Sequence, residues 1–446
     1  MACLKYTASV DASRFYTRSL NDPRVARILA AALEAVEPGA AVERYLTSDP
    51  LPAVNRIFAL GLGKAVLPMT QTLSRFINLT RTLVITKHAS PLHIQSASII
   101  ESGHPVPDSR SLAAGQAALE FVSALREDDL LICLISGGGS ALMTAPLIPL
   151  EDMQALTFAL LASGARIDEI NTLRRHLDQV KGGGLVKATR ARVLSLILSD
   201  VVGSPLEAIA SGPTAPDPTT KEEALGVLEK YFEISRRSSR PKAVSRPANL
   251  PVSILDSLLS SPETPKPDNP IFTRVQNIIV GDNALAIRNG LKQAEQEGLY
   301  AESLGSDWQG EAREVGLELA HKLRVTIKPQ SRPFCLIAGG ETTVTIQGDG
   351  KGGRNQELAL AAVLELAGLE NTLLITLATD GEDGPTDAAG AVVNGQTLRH
   401  AESLGLDVAD YLSRNDAYHF FERSGDLLKI GPTGTNVNDL VFLVGL

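Results

Sequence analysis

Several glycine-rich stretches in this 446-residue chain carry side chains whose types and spacing suit anion chemistry. Gly61-Leu62-Gly63-Lys64-Ala65 puts a lysine where a strand hands over to a helix. A cation is disfavoured at a helix N-terminus by the macrodipole unless it serves a bound anion. A second stretch, Ser136-Gly137-Gly138-Gly139-Ser140, follows an aliphatic run, and its glycines let successive N–H groups converge on an anion. A third, 348–354, matches G-x-G-x-x-G formally and ends on Arg354. No acidic residue closes a following strand about twenty positions on, as a dinucleotide site requires. The fingerprint gives Arg354 no role, whereas a guanidinium suits a bidentate grip on phosphate or carboxylate.

Other polar groups recur beside glycine. Gly340, Glu341 and Thr342 follow one strand-like run, and Asn355 and Gln356 open the helix after Arg354. Four carboxylates fall within eight residues at Asp380, Glu382, Asp383 and Asp387. Oxygen ligands of this kind hold hard cations, so Asp380 is a candidate metal ligand, together with Asp200 at another strand end. Arg174, Asp178 and Lys181 have the spacing of one helical face, close to the glycine run 182–184. His104 and His176 are the histidines placed for acid–base work near neutral pH.

Short aliphatic strands alternate with amphipathic helices, the pattern of a mostly parallel sheet covered on both faces. Strands are predicted at 57–60, 82–86, 130–135, 193–198, 277–280, 334–338 and 373–378. Helices are predicted at 23–36, 110–125, 150–163, 221–231, 283–296, 310–323 and 355–366, and 171–180 is helix-like. A Pro- and Ser-rich connector from about 235, with one short helical piece near 252–259, sets the domain boundary. This gives an N-terminal domain over 1–262 and a C-terminal lobe over 263–446.

Composition narrows the function. A net charge of −9 argues against nucleic-acid and anionic-membrane surfaces. No apolar run approaches a membrane span, and the N-terminus lacks a secretory core, so the cytoplasm is the default, with organellar targeting the minor alternative. Cys3, Cys133 and Cys335 lack the spacing of a disulfide framework or zinc site.

Nine blocks together resemble the class II glycerate kinases with a C-terminal MOFRL-type domain: 61–65, 103–108, 136–141, 171–183, 199–214, 339–343, 352–357, 379–388 and 431–439. The resemblance covers about 22–446, with the MOFRL part at about 333–440. It implies an α/β fold with a Rossmann-like N-terminal α/β/α sandwich, a second α/β lobe and an active site in the interlobe cleft. The implied reaction phosphorylates D-glycerate at its 2-hydroxyl, giving 2-phosphoglycerate and ADP, with Mg²⁺ as the divalent metal and ATP as co-substrate. The family's catalytic lysine and arginine map onto Lys64 and Arg354. Gly63, His104, Ser136–Ser140, Arg174, Lys181, Gly340–Thr342, Asn355 and Gln356 become substrate or nucleotide contacts, and Asp200 and Asp380 the metal ligands. The implied partners are these small molecules, not nucleic acid or membrane, with a homodimer left open. Ser204 and Glu207 depart from the family pattern, and 236–249 fits it poorly. Two rival readings stand beside this one: an NAD(P)-dependent hydroxypyruvate reductase and a non-catalytic metabolite-binding protein.

Overall fold

Strands buried on both faces read as continuous aliphatic runs, and such strands belong in parallel sheets. In the computed structural model, which describes residues 10–49, 51–89, 94, 96–232, 251–327 and 333–446, the first sheet obeys this rule. Its strands are β1 (Ile57–Leu62), β2 (Arg81–Thr86), β3 (Ala97–Glu101), β4 (Leu130–Ile135), β5 (Arg192–Leu198) and β6 (Val275–Gly281). They lie in the order β3-β2-β1-β4-β5-β6. β1 runs parallel to both β2 and β4, with Leu60 opposite Leu83 on one side and Cys133 on the other. All six residues of β4 are buried. Burial pushes the Cys133 thiol up to about 12, which leaves it an inert hydrophobe.

The second sheet departs from the parallel expectation. It contains β7 (Tyr300–Ser303), β8 (Trp308–Glu311), β9 (Phe334–Thr343), β10 (Thr372–Ala378), β11 (Gly390–Asn394), β12 (Leu427–Leu428) and β13 (Asp439–Gly445). The order is β12-β11-β10-β13-β9-β7, with β8 beside β9. β10 is antiparallel to β11 and β13, and β13 is antiparallel to β9. Parallel neighbours need a crossover of a dozen or more residues, usually a helix. The link from β10 to β11 is a loop without a helix, so the partner returns antiparallel.

The chain packs as two compact units. One comprises Met1–Ala41, Ser199–Gly203 and Gly281–Leu446, the other Val42–Leu198 and Ser204–Val280. This differs from a boundary at 262/263 in two places. First, the helix Pro23–Glu34 packs on the helix Asn283–Gln296, burying Val25, Ile28, Leu29 and Leu33. Second, residues 251–280 are not a bare connector. The helix Val252–Ser260 buries Ile254 and Leu258 beside Leu156, Leu225 and Leu228, and Thr264 donates to Asp217 at 2.9 Å. The first part of the predicted connector, up to residue 250, lies outside the described residues, as does Cys3.

The predicted helices are found with no end moved by more than three residues, except the helix-like 171–180, which is Ile167–His176. Asp22 accepts from Arg24 N–H at 2.8 Å and Pro23 takes the first turn, as the capping signal required. The helices Ala312–Thr326 and Arg354–Leu366 pack so closely that a methyl at Gly316 would overlap the carbonyl oxygen of Leu358. Helix propensity alone favours Gly316→Ala by about 1 kcal/mol. Overpacking against a backbone atom costs about 1–3 kcal/mol and prevails. Gly316→Ala is therefore expected to lower Tm; an unchanged or higher Tm in calorimetry would refute the close packing.

Candidate functional site

In an open sheet of this strand order, ligands bind beyond the carboxyl ends of the strands where the order reverses. That point lies between β1 and β4, and the turns leaving these two strands are Gly63-Lys64 and Ser136–Ser140. The turns are stitched together. Lys64 N–H donates to Gly137 O at 3.0 Å, and Ala65 N–H to the Ser136 hydroxyl at 3.0 Å. Gly63 has φ +132°, and any side chain there would strike Ser136. Among the described residues, the N–H groups of Gly137, Gly138, Gly139 and Ser140 donate to no protein acceptor. They remain available to an anion.

Lys64 is exposed, and its Cε and the ring of His104 both border the space a side chain on Gly138 would fill. Burial, with the charges of Lys64 and Lys87, drives His104 down to about 4. Its imidazole is thus neutral at physiological pH and able to accept a hydrogen bond. Beneath the loop, the Ser140 and Ser211 hydroxyls are 2.8 Å apart. Ala210, Ser211 and Gly212 are successive residues with φ of +51°, +60° and +64°. Left-handed non-glycine residues cost energy and concentrate at functional sites. Ser211 escaped the sequence-based site, its signal being only a Ser-Gly-Pro turn.

Ser140 also borders a pocket of about 220 Å³ shared with Arg174, Asp178 and Lys181. The helix stops at His176, so Asp178 and Lys181 are not on its face as predicted, yet the three still gather. Buried Lys181 lies 3.1 Å from Asp178 and donates to Met143 O at 2.8 Å; desolvation lowers its pKa, with Asp178 opposing. Arg174 has no ion-pair or hydrogen-bond partner among the described residues. His176 is structural instead: buried, with Nδ1 2.9 Å from Thr172 O and Nε2 3.0 Å from Glu263.

In the C-terminal unit, Arg354 opens the helix Arg354–Leu366 with its guanidinium already paired. Nε donates to Asp439 at 2.6 Å and Nη1 to Glu341 at 2.5 Å, and Nη2 reaches Asp439 at 3.4 Å. Three of five N–H donors are so used, and two remain. Burial opposes the Arg354 charge, but Asp439 and Glu341 outweigh it and hold the group protonated. Asp383 caps this helix, accepting from Asn355 N–H at 3.1 Å and Gln356 N–H at 2.8 Å. Burial, then the charge of Asp439, raises Asp383 to about 7; burial raises Asp439 to about 6 against the pull of Arg354.

Other predicted contacts in this unit have protein partners of their own. Gln356 is fully buried and donates to Thr386 at 2.8 Å, and Asn355 is buried on Asp383, so both support the helix start. Thr342 is buried, and Gly340 sits opposite Asp439 in the β9–β13 register. The start of the glycine run, 348–351, is no phosphate loop. Gly348 N–H donates to Asn415, Gly350 N–H to Arg414 O and Lys351 N–H to Asp416, which spends the donors a pyrophosphate would need. The reductase reading loses its motif with them. The four-carboxylate stretch also divides: Asp383 turns inward, Asp387 takes Tyr418 and Lys429, and Asp380 accepts from Glu382 N–H. Among the described residues no group of three or more His, Cys, Asp or Glu converges as a metal cluster. Nor is any helix there long and apolar enough to cross a membrane.

Comparison with known proteins supplies the context. Residues 24–245 match a family described as a domain of unknown function, DUF4147, and residues 334–439 match the MOFRL family. The chain is 40% identical to the D-glycerate 2-kinase of Thermotoga maritima, over 93% of this chain and 96% of that one. It is 38% identical to the glycerate 2-kinase of Pyrococcus horikoshii, over 94% and 96%, and 36% identical to human glycerate kinase, over 94% and 92%. A crystal structure of Thermotoga maritima glycerate kinase superposes with a TM-score of 0.85 at 40% identity, covering 94% of this chain and 98% of that one.

The raised Asp383 carboxyl makes a testable demand on stability. A carboxyl whose folded pKa exceeds its unfolded value binds more protons when folded, so its contribution is lost as pH rises. For Asp383 that window runs from about 4 to about 7. The wild-type Tm should therefore fall relative to Asp383→Asn across this range; parallel Tm curves would show that the buried carboxyl does not titrate there.

Proposed function

This chain belongs to the glycerate 2-kinase family with a C-terminal MOFRL domain, and we propose that it moves the γ-phosphoryl group of ATP to the 2-hydroxyl of D-glycerate. The observation that carries the reading for this chain's own residues is the turn pair at the strand-order reversal. There an exposed lysine, a neutral histidine and a run of unspent N–H groups border one space.

Phosphoryl transfer asks for positioning and charge neutralisation more than for covalent help. The open N–H groups of Gly137–Ser140 hold phosphate oxygens, as backbone donors at a helix start do. Lys64 neutralises the charge that grows on the moving group. His104, held neutral, accepts the hydrogen bond of the attacking hydroxyl and orients its oxygen. Arg354 keeps two N–H donors for the glycerate carboxylate or for phosphoryl oxygens, while Glu341 and Asp439 fix its plane. Asp383, Asn355 and Gln356 act through Arg354, by fixing the helix that carries it.

Mg²⁺ on ATP would need one or two carboxylates beside the phosphates. Asp200 after β5 and Asp380 after β10 are partly exposed at strand carboxyl ends and would supply them; the ion itself neutralises phosphate charge.

Incubation with ATP, Mg²⁺ and D-glycerate, coupled to enolase without phosphoglycerate mutase, should yield phosphoenolpyruvate directly. Phosphoenolpyruvate that forms only after the mutase is added would move the acceptor to another hydroxyl. Lys64→Ala should lower kcat on the order of 10³-fold, the scale seen when a cation at transferring phosphate is removed. A kcat within a few fold of wild type would rule the lysine out of the transfer step.

A further inference from the structure

The pocket beside Ser140 holds features that the phosphate loop does not account for. Its walls are apolar: Met153, Phe158 and Leu161 from the helix Leu150–Ala162 face Val106 and Pro107 from the segment after His104. Phe158 is 58% exposed, Leu161 57% and Val106 44%, so its rim leaves large apolar groups in water. Gln154 Nε2 donates to Pro107 O at 2.6 Å, tying the two walls together.

The charged side differs in kind. Lys181 is spent on Asp178 and Met143 O, but Arg174 has no partner among the described residues, and burial lowers its pKa. A half-buried guanidinium without a counter-ion is costly, and a ligand anion relieves the cost. Ser140 belongs both to this pocket and to the loop with open N–H groups.

D-Glycerate fits this chemistry poorly. Every one of its carbons bears oxygen, and hydroxyls set against Phe158 and Leu161 would go unpaired. A flat base with apolar faces would cover those side chains. We infer that this pocket takes the purine base of the nucleotide, with Arg174 facing the first phosphate and the phosphate chain passing over Ser140 towards Lys64. The nucleotide then lies along one packing unit, from Phe158 to Lys64. This rests on the kinase reading above and adds to it the seat of the base.

The test uses the full chain without glycerate. ADP binding is measured by calorimetry for wild type, Phe158→Ser and Thr157→Trp. Thr157 also lines the pocket, and a tryptophan there fills it; Phe158 is exposed enough that its serine variant should keep the fold. Each variant should raise the ADP Kd by at least ~10-fold, the scale for losing an aromatic face. KM for ATP should rise in step, with KM for glycerate within about twofold. A raised KM for glycerate with an unchanged ADP Kd would give the pocket to the hydroxy acid. If neither moves, the pocket is no part of the site. Wild type that binds ADP in a variant-sensitive way yet forms no phosphoenolpyruvate would sink the kinase reading and leave the base pocket standing.

Discussion

A backbone N–H at a turn or helix start needs an acceptor, and where the protein supplies one, no ligand anion can bind. This constraint sorts the glycine-rich stretches of the chain. The N–H groups of Gly348, Gly350 and Lys351 go to Asn415, the Arg414 carbonyl and Asp416, and those of Asn355 and Gln356 go to Asp383. At 137–140 no protein acceptor takes them. Glycine content is similar in the two regions. What separates them is three carboxylate or amide side chains that arrive from distant parts of the sequence.

Electrostatics in the C-terminal unit follows from the same cap. Asp383 occupies the place an anion would hold at the start of the helix Arg354–Leu366, which lets Arg354 be steered by Asp439 and Glu341. Two buried carboxyls close to one arginine cannot all keep ordinary pKa values. Asp383 and Asp439 rise while the guanidinium stays charged. The arginine is thereby held in one orientation with part of its donor set in reserve.

Much of this was legible in the sequence where the signal is local. The runs of β1, β4 and β5 and the Asp22-Pro23 cap gave their elements directly, and the glycine turns marked the strand ends that matter. What escaped depended on partners far away in the chain. That the donors of Gly348, Gly350 and Lys351 are taken rests on residues 414–416, and that Gln356 is inaccessible rests on Thr386. β13 is an aliphatic run whose antiparallel place rests on β9 and β10, which lie far from it in the chain. The helix Leu150–Ala162 did carry a cue, since apolar residues surround it on nearly every side, but a pocket wall and a buried face look alike along the chain.

The place of β13 bears on how the chain is made. It pairs with β9 on one side and β10 on the other, so the second sheet stays split until residue 445 has been synthesised. The first sheet needs nothing beyond residue 281. The helix Pro23–Glu34, made well before its partner, waits for the helix Asn283–Gln296 before its apolar face is covered. Translation order therefore favours the first sheet as an early folded body. An aliphatic helix and two unpaired strand edges stay open to chaperones during the rest of synthesis.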